Sequence, residues 1–175
     1  FPKPHAAAYA LTSFRVAYFK VHYPLAFYAT YFTIKAPDFD GSIGIKGLEA
    51  IKDHFLEVKK LGKDAAPKDQ DMQPHFETAY EMYCRGFCFY PVDLMKSHGT
   101  KYTLEENGIR IPLCGLPGIP PSAAEAIYNA REEGGEFTSV DDLRKRSGIG
   151  KSTIEVLRNN GILTNLSETA QIELF

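Results

Sequence analysis

Long apolar runs are missing from this 175-residue chain. None reaches the roughly 18 residues that a membrane-spanning helix needs. No charged-then-apolar leader precedes a cleavage site either, so a cytoplasmic protein without a membrane partner is expected. Cysteine is scarce, with Cys84, Cys88 and Cys114 the only three. An odd, sparse count fits buried, reduced thiols rather than a disulfide framework. His75 and His98 lie near the first two, but the CxxxC spacing around Gly86 and Phe87 is no usual zinc knuckle. No metal site is assigned. Excess positive charge is missing as well, the net charge being -2. That excludes an obvious basic nucleic-acid binder, but not one that holds phosphates with backbone amides. No Ser/His/Asp set and no pair of acid–base carboxylates stands out, so no catalytic residue is assigned.

What is present is mostly helix, and a hydrophobic share of 44% is enough for a real core. Pro4 sits where a first helical turn tolerates proline, alanines follow, and the pattern runs to Ile34 with one break at Pro24. Tyr9, Leu11, Phe14 and Tyr18 lie around the circumference of the first helix, which predicts burial on several sides. Leu48, Ile51, Phe55, Val58 and Leu61 stripe a third helix over 43–62. Residues 63–74 read as a polar connector, and a fourth helix from His75 is stopped by Gly86. Alternation on either side of "EENG" then predicts a small β-hairpin at Tyr102–Leu104 and Ile109–Ile111, marking a domain boundary. Two turn-and-helix units follow. One helix starts at Ser122; the next is opened by Ser139 with Asp142, and the unit closes at Gly161. Together they form a weak internal repeat.

The stretch "GIGKST" invites a phosphate-loop reading, but Lys145 stands where that loop needs glycine and no buried strand precedes it. A helix-hairpin-helix fits better. There a Gly-apolar-Gly turn joins two helices, the glycines permit positive dihedrals, and amides meet a DNA phosphate at a helix N-terminus. Gly148, Ile149, Gly150, Lys151 and Ser152 match in full. Gly118 and Ile119 match in part, because Pro120 takes the second glycine's place and lacks an N–H. Two such turns would grip both strands of a duplex; ordinary helical hairpins are the plainer alternative. Lys3 and His5, just ahead of a helix start, could meet a triphosphate, although a histidine there also serves as a cap. The chain closes on "QIELF", with Ile172, Leu174 and Phe175 apolar behind a polar linker, so the tail is expected to enter a partner's pocket. Opening at Phe1 rather than methionine, directly into a helix, reads as a cut from within a longer chain.

These segments together resemble a known family. "FPKPHAAAYALTSFRVAYFKVHYP" is similar to the start of the fingers in bacterial family C replicative polymerases. "YATYFTIKAPDFD", "AREEGGEFTSVDDLRKR" and a QLSLF-like terminus resemble the PolC type of Gram-positive bacteria rather than the DnaE type. Pro120, Ile172 and Glu173 depart from the family pattern. The resemblance implies a C-terminal fragment, mainly α. Its helical fingers portion would occupy 1–98, and a small β-hairpin element with a tandem helix-hairpin-helix duplex-binding domain 99–166. Residues 167–175 would form a clamp-binding tail. It also implies that Phe1, Lys3, His5 and Tyr9 line the incoming deoxynucleotide triphosphate. Gln171, Ile172, Leu174 and Phe175 would hold the sliding clamp, and the Mg²⁺ ions and palm carboxylates of polymerisation would lie upstream. A stand-alone helix-hairpin-helix repair accessory protein is the alternative, and it predicts a start codon near Phe1. A purely structural module would have no duplex affinity.

Overall fold

The computed structural model describes residues 2–169, which form eight α-helices and a three-stranded sheet. Helix α1 (Lys3–His22) follows Pro2 at its N-cap, with Pro4 in its first turn, and α2 (Pro24–Ile34) resumes on Pro24 after a one-residue break. Proline fits both starts because first-turn amides have no intrahelical acceptor. The expected burial of α1 is not observed. No residue of α1 is buried, and Phe14 is 76% exposed. Apolar residues on every side need neighbours on every side, and α2 is the main neighbour that α1 has. Lys20 adds an ion pair to Glu81 at 2.6 Å. Helix α2 behaves differently: Tyr28 and Phe32 are fully buried, and the Phe32 ring lies 5.0 Å from both Phe39 and Phe89.

The expected third helix is divided. Asp40 caps a short α3 (Gly41–Gly44) by accepting from the Ser42 amide at 2.8 Å. Gly47, at φ +91°, then breaks the chain before α4 (Leu48–Leu61). The fourth helix is longer than its sequence suggested. Helix α5 (Pro67–Cys84) begins within the supposed connector, on another first-turn proline, and carries Pro74 inside it. Polar composition hid that start, because the residues of α5 that reach the core, Phe76, Ala79 and Met82, all lie in its second half. Gly86 ends α5 as expected: at φ +85° its amide donates to the Tyr83 carbonyl at 2.9 Å.

Strands β2 (Thr103–Glu105) and β3 (Gly108–Arg110) form the expected antiparallel hairpin. The sequence reading missed β1 (Cys88–Tyr90), which pairs in parallel with β3. Gly108 has a second role there, because a Cβ would run into the Cys88 carbonyl. Helices α6 (Pro121–Gly134), α7 (Val140–Ser147) and α8 (Lys151–Asn159) complete the fold. One apolar cluster extends from Tyr28 to Leu163 and crosses position 98 without interruption. The buried Arg131 guanidinium helps tie its parts together, donating to the carbonyls of Leu94 and Ser97 at 2.8 and 2.9 Å. The thiols depart from expectation: all three are free, but Cys84 is exposed and Cys88 and Cys114 are only half-buried. Among the described residues no helix is long and apolar enough to cross a membrane.

Candidate nucleic-acid interface

The second turn is built by two helix ends. Ser139 opens α7, accepting from the Asp142 amide at 3.1 Å, which is the cap its sequence predicted. Gly148 closes α7 in the left-handed region (φ +68°), with its amide on the Arg144 carbonyl at 2.9 Å. Ile149 is buried beneath the turn. Gly150 precedes α8, and its carbonyl accepts from the Ile154 amide at 3.3 Å. Among the described residues nothing accepts from the Gly150 amide, and the first-turn amides of Lys151 and Ser152 have no intrahelical acceptor. Both side chains are exposed beside them. The result is a cluster of N–H donors at the positive end of a helix, with a lysine at its edge.

Gly150 corrects one expectation. Its dihedrals (φ −75°, ψ 166°) suit any residue, and a Cβ there would meet nothing nearer than the Ser152 hydroxyl at 3.9 Å. Among the described residues, neither backbone strain nor packing requires glycine at this position. The positive-φ role belongs to Gly118 (φ +95°) and Gly148.

The first turn has nearly the same backbone. Ile119 is again buried, and Pro120 (φ −67°, ψ 150°) reproduces the conformation of Gly150. Its chemistry differs, because Pro120 and Pro121 remove two donors and the Ile119 amide is taken by the Leu116 carbonyl at 3.1 Å. This turn rests on the second unit: a Cβ on Gly118 would press on the Val156 side chain of α8 at 3.1 Å.

Sequence reasoning missed the residue that locks the two units. Arg146 sends its guanidinium to the carbonyls of Ala130 and Gly135, at 2.5 and 2.9 Å, closing the end of α6. It also reaches the Glu136 carbonyl at 3.2 Å and Asp142 at 3.1 Å, and lies 4.6 Å over the Phe137 ring. The only available signal was an arginine in the last turn of α7, where helix-end electrostatics already explained it. The Thr138 amide, with Arg146 beside it, holds the Asp142 carboxyl below its usual pKa.

The other predicted residues lie elsewhere. Lys3 and His5 fall inside the first turn of α1 rather than ahead of it, and Tyr9 packs edge-on to His5 at 4.5 Å. All three are exposed. Phe1, Gln171, Ile172, Leu174 and Phe175 lie outside the described residues. The polar linker before the tail is not a free spacer up to Thr169, because the Ser167 carbonyl accepts from the Val140 amide at 2.9 Å. His75 bonds the Tyr31 hydroxyl at 2.9 Å, and the His98 ring stacks on Tyr128 at 4.1 Å. Burial lowers the pKa of both histidines. Among the described residues no group of three His, Cys, Asp or Glu is placed to hold a metal ion.

Two turns of this shape, joined by α6 and α7, define a helix-hairpin-helix unit. Residues 86–171 match the family described as the helix-hairpin-helix motif. Across its whole length the chain is also 50% identical to a Thermotoga petrophila protein named DNA polymerase III PolC-type. Identity is 47% to the protein of that name from Clostridium perfringens and 43% to that from Bacillus subtilis. The chain spans only 12–13% of the length of these relatives. Such identity over its whole length makes the chain a homologue of one stretch of the PolC-type DNA polymerase III proteins.

Proposed function

We propose that this chain is the C-terminal part of a replicative, PolC-type DNA polymerase, and that its second hairpin turn holds a backbone phosphate of the primer–template duplex. Gly150 carries this reading. Glycine stands at a position where, among the described residues, neither conformation nor packing needs it, beside amides without acceptors among those residues. The remaining reason for glycine is close approach of something outside the chain. A phosphate fits, since N–H donors, a helix N-terminus and the Lys151 ammonium all favour an anion. The first turn matches the second in shape and lacks its donors, so it supports the duplex more weakly.

In the parent enzyme the chemistry is template-directed nucleotidyl transfer. The carboxylates that hold its Mg²⁺ ions are proposed to lie upstream of this chain, so no chemical step is assigned to it. The exposed start of α1, with Phe1, Lys3, His5 and Tyr9, is proposed to face the incoming nucleotide. Gln171, Ile172, Leu174 and Phe175 are proposed to engage the sliding clamp. Burying an aliphatic and an aromatic side chain there supplies about 1.5–3 kcal/mol each.

A fluorescence-anisotropy titration against duplex DNA at low salt tests the duplex reading. Gly150→Val weakens binding about tenfold, or about 1.4 kcal/mol, whereas Pro120→Ala, which returns one amide to the first turn, raises it by no more than about twofold. Lys151→Gln reduces the slope of log affinity against log salt by about 0.9. If Gly150→Val and Pro120→Ala are both silent, the hairpin does not bind duplex.

A further inference from the structure

We infer that residues 167–169 are a clasp that mounts the terminal pentapeptide on the second helix-hairpin-helix unit, so that the tail's partner docks at a fixed place against α7 and α8, the helices that flank the duplex-binding turn. The inference rests on the proposal that residues 171–175 bind the sliding clamp.

The clasp is built from main chain. First-turn amides of a helix have no carbonyl of their own. At α7 the Val140 amide donates to Ser167 O at 2.9 Å and the Asp141 amide to Glu168 O at 3.1 Å. Ser139, itself fully buried, pairs with Ser167 as a parallel bridge. The Arg158 guanidinium on α8 then takes both oxygens of the Glu168 carboxylate, at 2.7 and 2.9 Å. Finally, the Ser167 hydroxyl donates to the Thr169 carbonyl at 2.9 Å. The segment therefore spans the helices on both sides of the Gly148–Gly150 turn. An exposed ion pair alone would hold little; here it closes a contact that two backbone bonds have already set.

The consequence is a short leash. Gln171 follows Thr169 by two peptide steps, which extend at most about 7 Å. A surface that captures Gln171 must come close to α7 and α8. A long linker would let clamp and duplex be bound independently. A short one converts the second binding event into an intramolecular one at high effective concentration.

The test uses the full-length polymerase, its clamp free in solution, and the same clamp loaded on primed duplex. A six-residue Gly/Ser insertion between Thr169 and Ala170 lengthens the leash from two residues to eight and leaves clasp and pentapeptide intact. Affinity for the free clamp is expected to stay within twofold. Affinity for clamp-loaded duplex is expected to fall about eightfold, following the −3/2 power of leash length. Arg158→Glu is expected to weaken the loaded complex alone, and adding Glu168→Arg to restore it, a rescue that general destabilisation would not show. If deletion of 171–175 abolishes clamp binding while the insertion and the charge reversal both leave loaded-complex affinity unchanged, the clasp inference is overturned. If that deletion leaves clamp binding intact, the tail reading fails and the clasp inference falls with it.

Discussion

Gly118-Ile119-Pro120 and Gly148-Ile149-Gly150 follow the same path: a left-handed glycine, a buried isoleucine and an extended third residue. They differ in what they offer outward. The second turn presents the Gly150 amide and the start of α8, whereas the first has two consecutive prolines and sits against Val156. A repeat of shape is therefore separable from a repeat of chemistry. Proline can take the place of an extended glycine without changing the backbone, and what it removes is a hydrogen-bond donor. One turn is suited to scaffold and the other to ligand.

The largest expected effect comes from parting the two units. Arg146→Ala removes a charged donor from three carbonyls and is expected to cost about 2–3 kcal/mol in denaturant unfolding. Lysine should recover little of it, because one ammonium cannot reproduce a planar fork. A loss under 0.5 kcal/mol would mean that the units hold together without it.

Alanine at the two outer glycines should separate scaffold from site. Gly118→Ala combines a positive φ with the Val156 contact and is expected to cost about 1–3 kcal/mol. Gly150→Ala, with room and an ordinary conformation, should leave the melting temperature nearly unchanged. Equal destabilisation by the two would remove the contrast between the turns.

A smaller effect is expected from Pro120→Gly, which returns one donor to the first turn. Duplex affinity should rise about twofold, while stability falls by about 0.4–1 kcal/mol through the freer unfolded chain. Unchanged affinity would show that something other than donors distinguishes the turns.

The smallest effect concerns pH. The Asp142 carboxyl is held low in the folded state, first by the Thr138 amide and then by Arg146. Its contribution is therefore complete at neutral pH and is lost as pH falls through the folded-state value. Asp142→Asn should flatten the acid side of a melting-temperature profile and lower its neutral plateau slightly, through the lost charge beside the Thr138 amide and Arg146.

Much of this was legible locally. Pro24 as a break, Gly86 as a stop, the Ser139 cap and the "EENG" hairpin all rest on contacts within a few residues, which sequence spacing encodes directly. The candidate turns were legible for the same reason: Gly148 and Ile149 occupy the conformation and the depth that their residue types prefer. Other elements were obscured. Helix α5 begins in a polar run because its buried residues, Phe76, Ala79 and Met82, all lie in its second half. Strand β1 is three residues long and pairs in parallel with a strand some twenty residues on, so no local pattern announces it.

By itself, the sequence determined the helical class, most stops and starts, and the two turns with their unequal donors. These follow from dihedral preferences and from which residues carry an N–H. Only the tertiary structure decided which apolar residues are covered, since Phe14 and Phe32 look alike in sequence and differ entirely in exposure. It also decided that Arg146 closes α6, that Gly108 makes room for β1, that Gly150 is unconstrained by its own fold, and that residues 167–168 lie across α7. Each of these depends on a partner distant along the chain. Burial and long-range hydrogen bonds are properties of pairs of residues, and the identity of one residue does not specify the other.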